Sequence, residues 1–126
     1  MTVSKKVLVA DDSGVMRKIV IRSLNSFGVT DVVEAADGNE ALAIMQKQEF
    51  DLVLTDWNMP GKTGIEVLKA IRATGSKIPV VLVTTEAEKS RVMEAIQAGV
   101  SEYVLKPFDA AMLQAKLSKF IKPVLV

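Results

Sequence analysis

The sequence predicts an α/β fold, a doubly wound three-layer sandwich with helices on both faces of one parallel five-stranded sheet. Two observations lead there. Short β-branched runs alternate with helix-patterned segments five times along 126 residues. Several of the runs are apolar at every position, as in Val7-Leu8-Val9-Ala10 and Val80-Val81-Leu82-Val83. A strand that is apolar on both faces has to be covered on both, which is the situation of a parallel sheet between helix layers. Regular strand–helix alternation gives crossover connections and hence an open, doubly wound sheet.

In chain order, the strands are expected at Lys6–Ala10, Val32–Ala36, Leu52–Thr55, Pro79–Val83 and Glu102–Leu105. The first helix shows an apolar stripe of Met16, Ile19, Val20, Leu24 and Phe27, with Arg17, Lys18 and Arg22 off it. Leu42 and Met45 mark the second helix, and Ile65, Leu68 and Ile71 the third. Val92, Met93 and Ile96 mark the fourth, and Leu113, Leu117 and Phe120 the fifth. Three starts carry an oxygen side chain with glutamate three residues on: Asp37 with Glu40, Thr63 with Glu66, and Thr85 with Glu88. Such pairs satisfy free amides of the first turn. Gly28, Gly75 and Gly99 stand where helices should stop.

Composition narrows the chemistry. A hydrophobic fraction of 49% and a charged fraction of 25% are those of a soluble globule, and residues 1–126 are read as one domain. A formal net charge of +1 gives no global field for nucleic acid or a membrane surface. There is no cysteine and no histidine, so chemistry has to run on carboxylates, hydroxyls, lysine and metal. No apolar stretch approaches the roughly 18 residues of a membrane span, and Asp11 and Asp12 cut short the first apolar run. A cytoplasmic protein is expected.

Folds of this kind bind ligands at the carboxyl ends of their strands. Strand one ends in Asp11-Asp12, and strand three in Asp56. If those strands are neighbours, three carboxylates converge, and the repulsion calls for a hard divalent cation such as magnesium. One such acid also serves as a helix cap: Asp12 or Ser13 could cap the first helix, and Asp56 could open a turn. Strand four ends in Thr84, and strand five in Lys106-Pro107. Their hydroxyl and ammonium both donate to anionic oxygen, and with the acids they form a cradle for a phosphoryl group on a carboxylate.

These residues carry a resemblance over the whole chain to the receiver domains of two-component response regulators, and within them to the single-domain chemotaxis regulators. The motifs are Val9-Ala10-Asp11-Asp12-Ser13, Met16-Arg17-Lys18-Ile19-Val20, Thr55-Asp56-Trp57-Asn58-Met59-Pro60, Val83-Thr84-Thr85-Glu86 and Glu102-Tyr103-Val104-Leu105-Lys106-Pro107-Phe108. The resemblance implies a flavodoxin-like sheet of order 2-1-3-4-5. It implies Asp56 as phosphoacceptor from a histidine kinase or phosphotransfer domain. Magnesium would be held by Asp12, Asp56 and the Asn58 carbonyl, with Asp11 acting through water. Lys106 would hold a phosphoryl oxygen, Thr84 would bond another, and Tyr103 would be the aromatic switch. Asn58 and Glu86 would flank the path of the hydrolytic water, and the Lys106–Pro107 peptide would be cis. Thr63 stands where many members carry an acid, and is read as a cap. Thr85 stands where a smaller residue is common.

Lys116, Lys119 and Lys122 recur along the last helix, and Lys89 on the fourth could join them beside Tyr103. That face suits an acidic docking partner; it also reads as a solvated helix face. A flagellar motor switch protein and a phosphatase are the implied further partners, with no nucleic acid or membrane. No output domain is seen in the sequence, so output is expected through binding another protein. A phosphorelay intermediate or phosphate sink is the alternative role. An aspartyl-phosphate hydrolase is disfavoured because Asn58 stands where those enzymes carry a second acid, and no Gly-x-x-x-x-Gly-Lys motif occurs.

Overall fold

The computed structural model describes residues 3–121. Five strands alternate with five helices: β1 (Val3–Ala10), α1 (Gly14–Ser26), β2 (Val29–Ala35), α2 (Gly38–Lys47), β3 (Leu52–Thr55), α3 (Gly64–Ala73), β4 (Val80–Thr84), α4 (Lys89–Gln97), β5 (Glu102–Leu105) and α5 (Ala110–Leu117). The strands form one parallel sheet of order β2-β1-β3-β4-β5, as the resemblance implied.

Strand alternation divides the core between two faces. Val7, Val9, Leu52, Leu54, Val81 and Val83 pack with Val20 and Leu24 of α1 and Leu113 and Leu117 of α5. Leu8, Ala10, Val53, Val80 and Leu82 pack on the other face with Ala41 of α2, Ile65, Leu68 and Ile71 of α3, and Ala95 of α4. Burying one such leucine or valine is worth about 1.5–3 kcal/mol. An exposed ion pair such as Lys69–Glu94, at 3.5 Å, adds at most about 1 kcal/mol. The two apolar layers, not the surface charges, hold the sheet.

Most helix ends follow the sequence signals. Thr63 and Glu66 form the full reciprocal capping box on α3, and the Asp37 carboxylate accepts the Glu40 N–H on α2. Ser13, not Asp12, caps α1 by accepting the Met16 N–H. Gly28, Gly75 and Gly99 take φ of 94°, 86° and 93°, the left-handed conformation that closes a helix at little steric cost.

Four expectations are corrected. β2 begins at Val29 and ends at Ala35, because it starts as soon as Gly28 turns the chain, and the exposed Thr30 and Asp31 hide its start. The Thr85–Glu88 cap does not form: α4 starts at Lys89 and its N-cap Glu88 makes no side-chain cap bond. The packed face of α4 is centred on Ala95, while Met93 and Ile96 are 48% and 60% exposed. Ile19, placed on the first stripe, is also exposed. Lys122 and the Pro123-Val124-Leu125-Val126 tail lie outside the described residues.

Candidate functional site

Pairing registers decide which side chains meet at the carboxyl edge of the sheet. β1 and β3 pair up to Ala10↔Thr55, so Asp11 and Asp56 leave the sheet side by side. The Asp56 N–H continues the ladder to the Ala10 carbonyl at 2.9 Å. β4 and β5 pair up to Thr84↔Leu105, and the Lys106 N–H bonds the Thr84 carbonyl at 2.9 Å. The Lys106–Pro107 peptide that follows is cis, as the resemblance implied.

The Lys106 ammonium reaches across the edge to both acids, 3.0 Å from Asp11 Oδ2 and 3.4 Å from Asp56 Oδ2. These side chains are 11%, 5% and 13% exposed, shielded enough for the charges to act strongly on each other. Asp12 lies beside them but open to solvent, and oxygens of Asp11, Asp12 and Asp56 all fall within 4.8 Å of one another. Three carboxylates facing one ammonium leave a formal charge of −2. An all-oxygen donor set with that charge suits a hard divalent cation.

The acceptor candidate is fixed on its other side. The Trp57 N–H donates to Asp56 Oδ1 at 2.7 Å, and the Trp57 indole is buried beneath the Arg91 guanidinium, 5.4 Å from the ring centroid. Gly64, the first residue of α3, packs onto the Asp56 peptide, and its N–H bonds the Trp57 carbonyl at 2.8 Å. A Cβ at Gly64 would sit 2.0 Å from the Asp56 carbonyl oxygen. Only a residue without a side chain lets α3 begin this close to Asp56.

Thr84 is fully buried at the end of β4, and its hydroxyl accepts the Glu86 N–H at 3.2 Å. Glu86 also joins the other expected residues. Its carboxylate accepts from Asn58 Nδ2 at 3.0 Å, and its main-chain carbonyl accepts from the Tyr103 hydroxyl. Thr84, Glu86, Asn58 and Tyr103 therefore form one hydrogen-bonded group. The Tyr103 ring packs against the core on the α3 side with its hydroxyl turned in toward Glu86. Burial raises the Tyr103 phenol above its ordinary value, and the charge of Glu86 adds to that, against the opposing charge of Arg91.

Lys116 and Lys119 gather at Glu102, at 3.6 Å and 3.4 Å, next to Tyr103 in β5. Burial alone would raise the Glu102 carboxyl, but the Tyr103 amide and the two lysines hold it below its usual value. Lys89 is exposed at the start of α4. Sequence reasoning passed over two residues near the site. Gly64 carried no visible signal beyond its place after the Thr63 cap. Arg17 was set aside as off the apolar stripe, yet it folds back to the end of β1. A cavity of about 490 Å³ lies elsewhere, between α2 and α3, lined by Leu42, Met45, Phe50, Ile71 and Ile78 among others.

The chain is similar to known proteins over most of its length. The family model for the response regulator receiver domain matches residues 7–118. The chain is 45% identical over 121 residues to chemotaxis protein CheY of Pseudomonas aeruginosa, covering 94% of this chain and 98% of that protein. It is 46% identical over 119 residues to chemotaxis protein CheY-3 of Vibrio cholerae, covering 93% and 92%. The solved structure of chemotaxis response regulator CheY4 of Vibrio cholerae matches with a TM-score of 0.83 at 38% identity, over 91% of this chain and 97% of that one. The receiver domain of Francisella response regulator 1452 matches with a TM-score of 0.86 at 29% identity, over 93% and 96%.

Proposed function

Since the chain belongs to the response regulator receiver domain family, we propose that it is a chemotaxis-type messenger switched by a phosphoryl group on Asp56. The observation that carries this reading is the meeting of Asp11, Asp12, Asp56 and Lys106 at one sheet edge. Residues 1–126 then act as a single receiver domain. The donor is a phosphohistidine on a sensor kinase or phosphotransfer domain, or a small phosphodonor. A magnesium ion held by Asp12, Asp56 and the Asn58 carbonyl, with Asp11 assisting through water, would offset charge on the transferring group.

The protein's own residues supply positioning and charge, which is most of what phosphoryl transfer requires. One Asp56 oxygen forms the new bond to phosphorus as the bond from phosphorus to the donor's imidazole nitrogen breaks. The nitrogen keeps the electron pair. Lys106 already faces the Asp56 carboxylate and offers its ammonium to an equatorial phosphoryl oxygen. The Thr84 hydroxyl, now held by the Glu86 amide, is free to turn and donate to a second oxygen. Such a turn loosens the loop that carries Glu86 and the anchor of Tyr103, and so alters the surface of α4, β5 and α5.

The partners are a histidine kinase or phosphotransfer domain upstream, and a flagellar motor switch protein and a phosphatase downstream. No helix among the described residues is long and apolar enough to cross a membrane, in keeping with a cytoplasmic role. The test is phosphotransfer profiling against candidate kinases with magnesium present. Labelling of the wild type and none of Asp56→Asn is expected; labelling of the variant at the wild-type level would overturn the assignment.

A further inference from the structure

Among the acids at the site, Asp12 is the one whose side chain makes no hydrogen bond or ion pair to another described residue. Its place is set by the backbone on either side of it. That backbone is pinned at three points. The Ser13 N–H donates to Asp11 Oδ1 at 2.9 Å, the Ser13 hydroxyl caps α1, and the Asp11 carbonyl accepts from Arg17 Nη1. Arg17 lies on the first turn of α1 and folds back past Gly14 to reach that carbonyl. Its Nε is held at 3.0 Å by Glu34 of β2, which also takes Lys18 at 3.0 Å. Glu34 pairs with Val9 in the sheet, so the guanidinium is anchored to the rigid core rather than to a loop.

From this geometry we infer that Arg17, anchored by Glu34, is a positioning residue for the cation site, acting on Asp12 through the Asp11 carbonyl. The inference rests on the reading that the acid cluster takes magnesium. A guanidinium suits the task because its planar fork serves carbonyl and carboxylate together, which an ammonium cannot do with the same rigidity. Groups that orient metal ligands typically change affinity by about 10–100-fold when removed.

The experiment is calorimetric titration of magnesium into the intact protein, at a temperature where each variant is fully folded, beside unfolding in EDTA. Arg17→Gln is expected to weaken magnesium by about 10-fold or more. Arg17→Lys should restore little of it. Glu34→Gln, which keeps the guanidinium but loosens its anchor, should weaken binding by a smaller factor; it also tests the idea if Arg17→Gln does not fold. Lys18→Gln, which removes the other partner of Glu34, should leave affinity unchanged. A loss of stability in EDTA with wild-type magnesium affinity in Arg17→Gln and Glu34→Gln would make the clamp merely structural and overturn the inference. Failure of the wild type itself to bind magnesium would instead remove the reading on which the inference stands.

Discussion

Asn58 and Glu86 reach toward each other from different loops, the one after β3 and the one after β4, and close at 3.0 Å. Asn58 is two residues after Asp56, and Glu86 is two after Thr84. If water reaches the phosphorylated aspartate between these two loops, the bridge should slow it. Glu86→Ala is therefore expected to shorten the lifetime of the phosphoryl group several-fold. Decay of labelled protein after donor removal measures this; an unchanged or longer lifetime would show that the bridge does not guard the path.

Tyr103 should contribute through its hydroxyl as well as its ring. Tyr103→Phe removes the bond to the Glu86 carbonyl while keeping the packing, at a cost of about 0.5–1.5 kcal/mol. Burial raises the folded-state pKa above the ordinary 10.0. That contribution is fully present below the unfolded value near 10.0 and is lost as pH rises through the raised folded value. Unfolding of the two proteins from pH 8 to about 11 should show a stability difference that is constant at first and then shrinks. A difference that grows with pH would contradict the burial of the phenol.

The acid cluster should be a liability without a cation. Asp11 and Asp56 share Lys106, whereas Asp12 adds a further negative charge with no partner of its own among the described residues. Asp12→Asn should raise stability in EDTA by about 1 kcal/mol, the scale of two charges near 4 Å at a solvated edge. The same substitution should lose most of the stabilisation that added magnesium gives the wild type. Urea unfolding with and without magnesium tests both halves. A destabilised Asp12→Asn in EDTA would mean that Asp12 has a structural role that outweighs its repulsion.

Much of the fold was legible because its signals are local. The doubly apolar runs at Val7–Ala10 and Val80–Val83 demanded cover on two faces, and the glycines at 28, 75 and 99 marked helix ends. The candidate site was legible because its residues sit at strand ends, where topology alone brings them together. Periodicity failed on α4 for a physical reason. It finds apolar residues but not which are covered, and Ala95, the buried one, is too small to stand out beside Met93 and Ile96. The Thr85–Glu88 signal failed because neighbouring Glu86 holds the loop in a different set of bonds, to Thr84, Asn58 and Tyr103. Arg17 was invisible as a contributor because its partners, the Asp11 carbonyl and Glu34, are apparent only in three dimensions.

Two glycines provide a controlled contrast between steric and conformational roles. Gly64 stands at the start of α3 without a left-handed backbone, so alanine is not excluded there by conformation. It is excluded by space: the new carbon would lie 2.0 Å from the Asp56 carbonyl oxygen and 2.8 Å from its carbon. Both are main-chain atoms, so the backbone that carries Asp56 has to move. Gly75 is the reverse, with φ of +86° and nothing within 4 Å of the added carbon. Gly75→Ala should cost about 1–2 kcal/mol for the left-handed conformation, with phosphotransfer unchanged in the folded protein. Gly64→Ala should cost about 1–3 kcal/mol or more and also slow labelling at Asp56 under conditions where the variant is folded. Unfolding midpoints and initial labelling rates for the pair would measure both quantities. If Gly64→Ala labels as fast as wild type, α3 can yield without moving Asp56, and the close packing is not what holds Asp56 in place.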